Sequence, residues 1–174
     1  MKIAGQEAAP EKLSKTIILP KKKPLELTIQ SLPLCFEEQV DAWIPTPRPA
    51  KKYVTKKGSA TVLRDPSTGQ YVTEDDITDA HIALLKKTIM LKGVAMVHEG
   101  LRLAAKLGQI EWTTPEVTDD DKKAAFYESI FNEMKAANFT TGDLRLLMAE
   151  INEISSKKTE ALEESRESFS SEGS

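Results

Sequence analysis

Few side chains in this chain are suited to chemistry, and they stand far apart. His81 and His98 are its only histidines and Cys35 is its only cysteine. Metal capture on a helix needs two imidazoles one turn apart, so that both lone pairs converge on one ion. These histidines lie seventeen residues apart, and Glu99 beside His98 does not complete a ligand set. Asp119, Asp120 and Asp121 put three carboxylates in a row. They lack the glycine and distal glutamate of a calcium loop and read instead as a charged helix start. Phosphate cradles need Gly-x-Gly-x-x-Gly after a strand, or Gly-Lys-Ser/Thr, and neither occurs. No Gly-x-Ser-x-Gly elbow offers a nucleophile. No catalytic, cofactor-binding or metal-binding residue is assigned, and the expected class is not an enzyme.

The scaffold that would position any site is one domain in size, at 174 residues. Hydrophobic residues make up 40% and charged residues 29%, which suggests a modest core with solvated appendages. A single cysteine fits a reducing compartment. The N-terminal residues carry no apolar run of a signal peptide, and Lys92 interrupts the most apolar stretch well short of a membrane span. A soluble cytoplasmic protein is expected. Residues 1–60 hold eleven Lys and Arg against six Asp and Glu, whereas 61–174 hold thirteen against twenty-one. A basic arm on an acidic body raises a nucleic-acid reading. The arm has no Arg-rich run, and Lys21-Lys22-Lys23 sits between two prolines, so a solvated linker is preferred.

The chain divides by pattern into four stretches. Residues 1–14 are small, polar and charged, and are expected to be disordered. Residues 15–72 form an extended β and Pro-rich region. Thr16–Leu19 and Leu25–Ile29 read as two strands around Pro20 and Pro24. Such a pair is marginal alone and must pack on something else. Pro45, Pro47 and Pro49 stiffen a connector, Gly58 marks a hairpin turn, and Asp65-Pro66-Ser67-Thr68-Gly69 marks a second turn.

Residues 73–155 are expected to be helical. Thr73, Thr118 and Thr140 each precede an aspartate by three residues, a pattern that caps a helix N-terminus. The first helix is expected from Glu74 to about Ala105, apolar almost all round in its middle. The second is expected from Asp119 to about Ala137, with Ala124, Tyr127, Ile130, Phe131 and Met134 on one face. The third is expected from Thr141 to about Ser155, with a seam of Leu144, Leu147, Met148, Ile151 and Ile154. Residues 156–174 are rich in serine and charge and are expected to be a disordered tail. The expected fold class is α+β, mainly α: a small N-terminal β-hairpin region packed on a three-helix core.

The order of these features resembles the tail assembly chaperones of long-tailed bacteriophages and their prophage relatives. The resemblance rests on Leu32-Pro33 before an acidic stretch, Ile44-Pro45-Thr46-Pro47-Arg48-Pro49, a Gly-containing hairpin, the Asp65-Pro66 turn with Tyr71, and a long Ala/Leu-rich helix. Gly108-Gln109-Ile110-Glu111-Trp112, two shorter helices and a charged Ser-rich tail complete it. It covers residues 25–155, and the interval from Pro66 to Tyr71 is longer than in the family.

The resemblance implies a non-enzymatic protein of the host cytoplasm that is not retained in the mature virion. It would bind the tape-measure protein, keep it soluble and promote assembly of tail-tube protein around it. Many members of that family are made in two lengths by a programmed ribosomal frameshift, and Lys157-Lys158 is compatible with an A-rich slippery run at the border of the tail. Homo-oligomers are compatible with this reading; a membrane or a nucleic acid is not the expected partner. The broad apolar surface of the first helix nominates Ile89, Met90, Val94, Met96 and Val97 for partner binding. Two other classes remain open: a minor structural virion or adaptor protein, and a basic-arm regulator of nucleic acid.

Overall fold

The computed structural model describes the backbone at residues 2–3, 6–7 and 13–171, and the side chains at 13–157. In chain order the elements are β1 (Lys2–Ile3), β2 (Gln6–Glu7), β3 (Ser14–Leu19), β4 (Leu25–Gln30), α1 (Phe36–Trp43), β5 (Ala50–Tyr53), β6 (Thr73–Asp76), α2 (Asp79–Gly100), α3 (Arg102–Lys106), α4 (Lys123–Ala136) and α5 (Thr141–Ser171). A single 3₁₀ turn, Asp120–Lys122, leads into α4. The fold is α+β and mainly α. It forms two units, Met1–Ile44 with Leu91–Ser174, and Pro45–Met90, so the division falls inside α2.

In the larger unit, β3 and β4 pair antiparallel, with Ile17 opposite Leu27 and Leu19 opposite Leu25. Alternation turns Ile17 and Leu19 inward and leaves Ile18 outside. Leu19, Leu27 and Ile29 are completely buried, each removal from water contributing ~1.5–3 kcal/mol. The hairpin finds the support it needs on α3 and α5. Gln109 clamps β4: its Oε1 accepts from the Thr28 N–H at 2.7 Å, and its Nε2 donates to the Thr28 hydroxyl at 3.1 Å. The Gln30 amide, buried, donates to the Glu99 carbonyl at 3.0 Å.

The helices of this unit close the core through Leu91, Val94, Ala95, Val97 and Leu101, then Phe126, Tyr127, Ile130 and Met134, then Leu147, Ile151 and Ile154. Leu147, Ile151 and Ile154 of the expected α5 seam are therefore in the core, and Leu144 and Met148 are half-buried. On α4, Phe126 takes the buried position expected for Phe131, which is half-buried. Gly100 lets α2 approach α5, because a Cβ there would collide with the Ile151 side chain. Leu101 interrupts the helix for one residue between α2 and α3. Gly108, at φ 70°, then ends α3, the Gln109 N–H reaching back to the Ala104 carbonyl at 2.9 Å.

Several expectations require correction. The first helix does not begin at Glu74: Thr73–Asp76 is β6, paired with Ala50–Tyr53. Charge explains the choice, since Glu74, Asp75 and Asp76 face Lys51 and Lys52 across the ladder. The cap of α2 is Thr78, whose hydroxyl accepts from the His81 N–H at 3.2 Å. Thr118 does not cap either: the residue before the 3₁₀ turn is Asp119, and no side-chain cap bond forms there. Thr140 does cap. Its hydroxyl accepts from the Asp143 N–H at 3.2 Å, and its own N–H donates to the Asp143 carboxylate at 2.6 Å.

The segment Phe36–Trp43, inside the stretch expected to be extended, is helix α1, with Phe36, Val40 and Ile44 buried one turn apart. The third helix was expected to end near Ser155, but the backbone of α5 runs helical to Ser171. Its Glu, Lys, Ala and Ser content tolerates helix, and Lys157 pairs with Glu153 one turn back at 2.6 Å. The side chains of the tail from 158 onward lie outside the described residues. So does most of the 1–14 stretch, within which β1 pairs with β2 and Ser14 opens β3.

The smaller unit is built on a junction of three hairpins. Bridges Thr55–Val62 and Arg64–Tyr71 extend away from the β5–β6 stem. At their meeting point three residues spaced nine apart close a ring of backbone bonds. Val54 N–H donates to Val72 O at 3.0 Å, Val72 N–H to Leu63 O at 3.0 Å, and Leu63 N–H to Val54 O at 2.8 Å. The two outer turns use Gly58 and Gly69 at positive φ, and Asp65 accepts from the Ser67 N–H at 2.8 Å. The first twelve residues of α2 complete the unit.

Candidate functional site

The chemistry-bearing side chains occupy separate places. Cys35 is exposed at the head of α1, with φ 60°. Asp119 pairs with Lys122 at 2.5 Å, and Asp120 accepts from the Trp43 indole N–H at 2.7 Å. His81 is half-buried in the first turn of α2. His98 lies in an aromatic cluster, 5.2 Å from Trp112, 5.3 Å from Phe126 and 6.0 Å from Tyr127 between ring centres. Burial, then the nearby Arg102 and Lys123 charges, push its pKa down to about 4, so it is a neutral core imidazole at pH 7. Burial likewise pushes the Tyr127 phenol up to about 12. Among the described residues no group of three His, Cys, Asp or Glu is placed to hold a metal.

Two clefts open on the larger unit. One, of about 540 Å³, lies over Leu32, Leu34 and Phe36 beside Ser155 of α5. The other, of about 320 Å³, is lined by His98, Arg102, Trp112 and Phe126. Its one carboxylate, Glu116, is paired with Arg102. The Trp112 indole N–H is buried without a hydrogen-bond partner. The first cleft also has Cys35, Glu37 and Glu38 on its lining.

Carboxylates near the basic segment are engaged in structure. Lys15 pairs with Glu150 at 2.5 Å, and Lys21 with Asp143 at 2.5 Å. Burial would raise the Asp143 carboxyl, but the Lys21 ammonium and the Thr140 N–H and hydroxyl outweigh it and hold the pKa below the ordinary range. The Glu133 carboxylate is held low in the same manner, accepting from the Thr113 and Thr114 N–H groups at 2.9 and 2.5 Å against the opposing effect of burial.

What remains as a surface with unspent binding capacity is the N-terminal part of α2. Asp79 complements the helix dipole in the first turn, and the Ile82 N–H closes that turn on the Thr78 carbonyl at 3.0 Å. Beyond this start the helix is barely covered. Ile89 is 66% exposed, Leu84 50% and Ile82 38%, with Ile77 exposed just upstream. Helical spacing puts Ile82, Lys86 and Ile89 in one row, at i, i+4 and i+7, with Leu85 half-buried along its border.

The nominated residues separate along this helix. Ile89 is on the surface, and Met90 and Met96 are half-buried. Val94 and Val97 are completely buried in the protein's own core, so they are withdrawn from any partner-facing surface. Sequence reasoning missed Ile82 and Leu84 as surface residues. The signal was present in Lys86-Lys87, a doublet that marks solvated turns directly after them. No protein-family model, curated protein or solved structure matches this chain.

Proposed function

We propose that this protein is a tail assembly chaperone that binds a tape-measure protein, keeps it soluble and promotes tail-tube assembly around it, without enzymatic activity. The observation that carries the reading is the exposed apolar surface of α2, with Ile82 and Ile89 on one side of the helix and Leu84 on the other open to solvent, on a helix whose other half is core. Helix-on-helix capture uses anchors at i, i+3, i+4 and i+7, and from Ile82 these positions hold Ile82, the half-buried Leu85, Lys86 and Ile89. The arrangement of the chain, from the Pro-rich segment through the long helix to the charged tail, supports the same reading.

The alternative of a minor virion or adaptor protein shares the surface but not the fate: a chaperone leaves before the particle is finished. A nucleic-acid role draws less support, because Lys15, Lys21, Lys51 and Lys52 of the basic arm are matched by carboxylates. Among the described residues no helix is long and apolar enough to cross a membrane.

Co-expression with the tape-measure protein encoded alongside it tests the proposal. The client is expected in the soluble fraction with the wild-type chain and in the pellet without it. A client equally insoluble in both cases overturns the proposal. Recovery of the protein in purified particles would favour the virion-component reading instead.

A further inference from the structure

We infer that the Ile82–Lys86–Ile89 row docks a client segment of one kind, an amphipathic helix that carries carboxylates beside its apolar seam. The inference rests on the docking role proposed for α2 and adds the chemistry of what docks. The row is apolar at both ends and cationic in the middle. Lys86 stands one turn from Ile82 and one from Ile89, is exposed, and has no acidic partner among the described residues. Its methylenes can lie on the apolar row while the ammonium meets an acceptor. From Ala80 to His98 the chain contains no acidic residue at all, so α2 offers no carboxylate of its own in this stretch. The whole Pro45–Met90 unit holds eight Lys and Arg against five Asp and Glu, a net +3.

The same feature argues against a second copy of this chain as the occupant. A two-fold contact brings residues near the axis against their own copies. Lys86 is the middle of the row, so parallel and antiparallel pairings both set one Lys86 ammonium close to the other. A partner helix with Glu or Asp flanking a Leu or Ile seam satisfies both needs at once. It buries Ile82 and Ile89 and neutralises Lys86, and complementary charge accelerates the encounter as well as fixing register.

The test uses the full chain and two labelled synthetic peptides of equal length and identical leucine seam, one flanked by glutamates and one by lysines, read by fluorescence anisotropy. The acidic peptide is expected to bind, the basic one to bind at least about tenfold more weakly. Ile89→Asp should weaken the acidic peptide by about tenfold or more. Lys86→Glu should narrow or reverse the preference between the peptides, and raising salt should weaken the acidic peptide alone.

Circular dichroism verifies that both variants stay folded, as exposed positions allow. Equal binding of both peptides, no binding of either, or an Ile89-dependent dimer in sedimentation overturns the inference. Its failure is separable from that of the chaperone reading. A co-expressed client held by the wild type and by Ile89→Asp and Lys86→Glu alike sinks the inference and leaves the chaperone standing. Acidic-peptide binding with an insoluble client does the reverse.

Discussion

From Asp79 to Met90 the second helix stands largely in solvent; from Leu91 to Gly100 the same continuous helix is almost wholly buried. Apolar residues are dense in both halves: Ile82, Leu84, Leu85 and Ile89 in the first, Leu91, Val94, Ala95 and Val97 in the second. Composition therefore does not separate them. What separates them is the number of elements that arrive to cover each side. The second half belongs to the unit that also holds the β3–β4 hairpin, α1, α4 and α5. The first half belongs to a unit whose other part is a hairpin junction with little apolar mass to offer. A helix that is apolar all round signals contact on several sides, but not whether the contact comes from its own chain.

The contrast can be broken by charge. Val94→Asp buries an uncompensated carboxylate and should cost on the order of 3–5 kcal/mol, whereas Ile89→Asp should stay within about 0.5 kcal/mol. Urea denaturation of both variants checks this, and similar midpoints would abolish the distinction between the halves. Truncation gives a second measure. Leu147→Ala, in the buried seam of α5, should cost ~2–5 kcal/mol, against little for Leu84→Ala on the exposed half of α2.

Acid sharpens the same contrast, because the covered half carries His98. Its folded pKa of about 4 lies below the ordinary 6.5, so as pH falls the unfolded chain takes up the proton first. Stability is fully present above about pH 6.5 and is lost as pH falls toward about 4, by roughly 3 kcal/mol. His98→Phe should flatten that part of the stability curve relative to wild type. A parallel curve for the variant would mean that other groups set the slope.

Glycine offers a finer probe. Gly100→Ala drives a methyl into the branched Ile151 side chain and should cost ~1–3 kcal/mol. Gly93→Ala meets the Met148 sulfur at 2.9 Å, where a flexible thioether can turn aside, and should cost less. Thermal melts that rank them the other way would show the α2–α5 approach to be looser at Gly100 than at Gly93. The smallest effect is expected at the caps. Thr78→Ala and Thr140→Ala should each lose about 1 kcal/mol, and Thr118→Ala nothing measurable. A loss at Thr118 matching the other two would restore the uniform cap that the sequence pattern suggests.

Thr73, Thr118 and Thr140 show how far sequence reasoning reached. Each precedes an aspartate by three residues, yet only Thr140 forms the reciprocal pair. At Thr73 the lysines of β5, some twenty residues upstream, captured the acidic residues into a strand. That competition is non-local, and a window of four residues does not contain it. Helix α1 escaped for a related reason: the prolines on both sides dominated the reading of a segment whose only helical signal was Phe36, Val40 and Ile44. The candidate site was legible as a helix and not as a surface. Ile89 was nominated and is exposed, while Val94 and Val97, nominated on the same pattern, are core.

Local chemistry in the sequence was enough to determine the β3–β4 alternation, the inward face of α5, the cap at Thr140 and the turns at Gly58 and Gly69. Each of these follows from backbone geometry and side-chain period within about one element's length. The tertiary structure alone decided which turns of α2 are covered, which acidic residues join a ladder, and that Val54, Leu63 and Val72 close one ring of hydrogen bonds. Those outcomes depend on partners brought together from distant positions in the chain. Burial is a property of how many surfaces converge on a residue, and a linear pattern records a residue's preference for burial without recording what arrives to provide it.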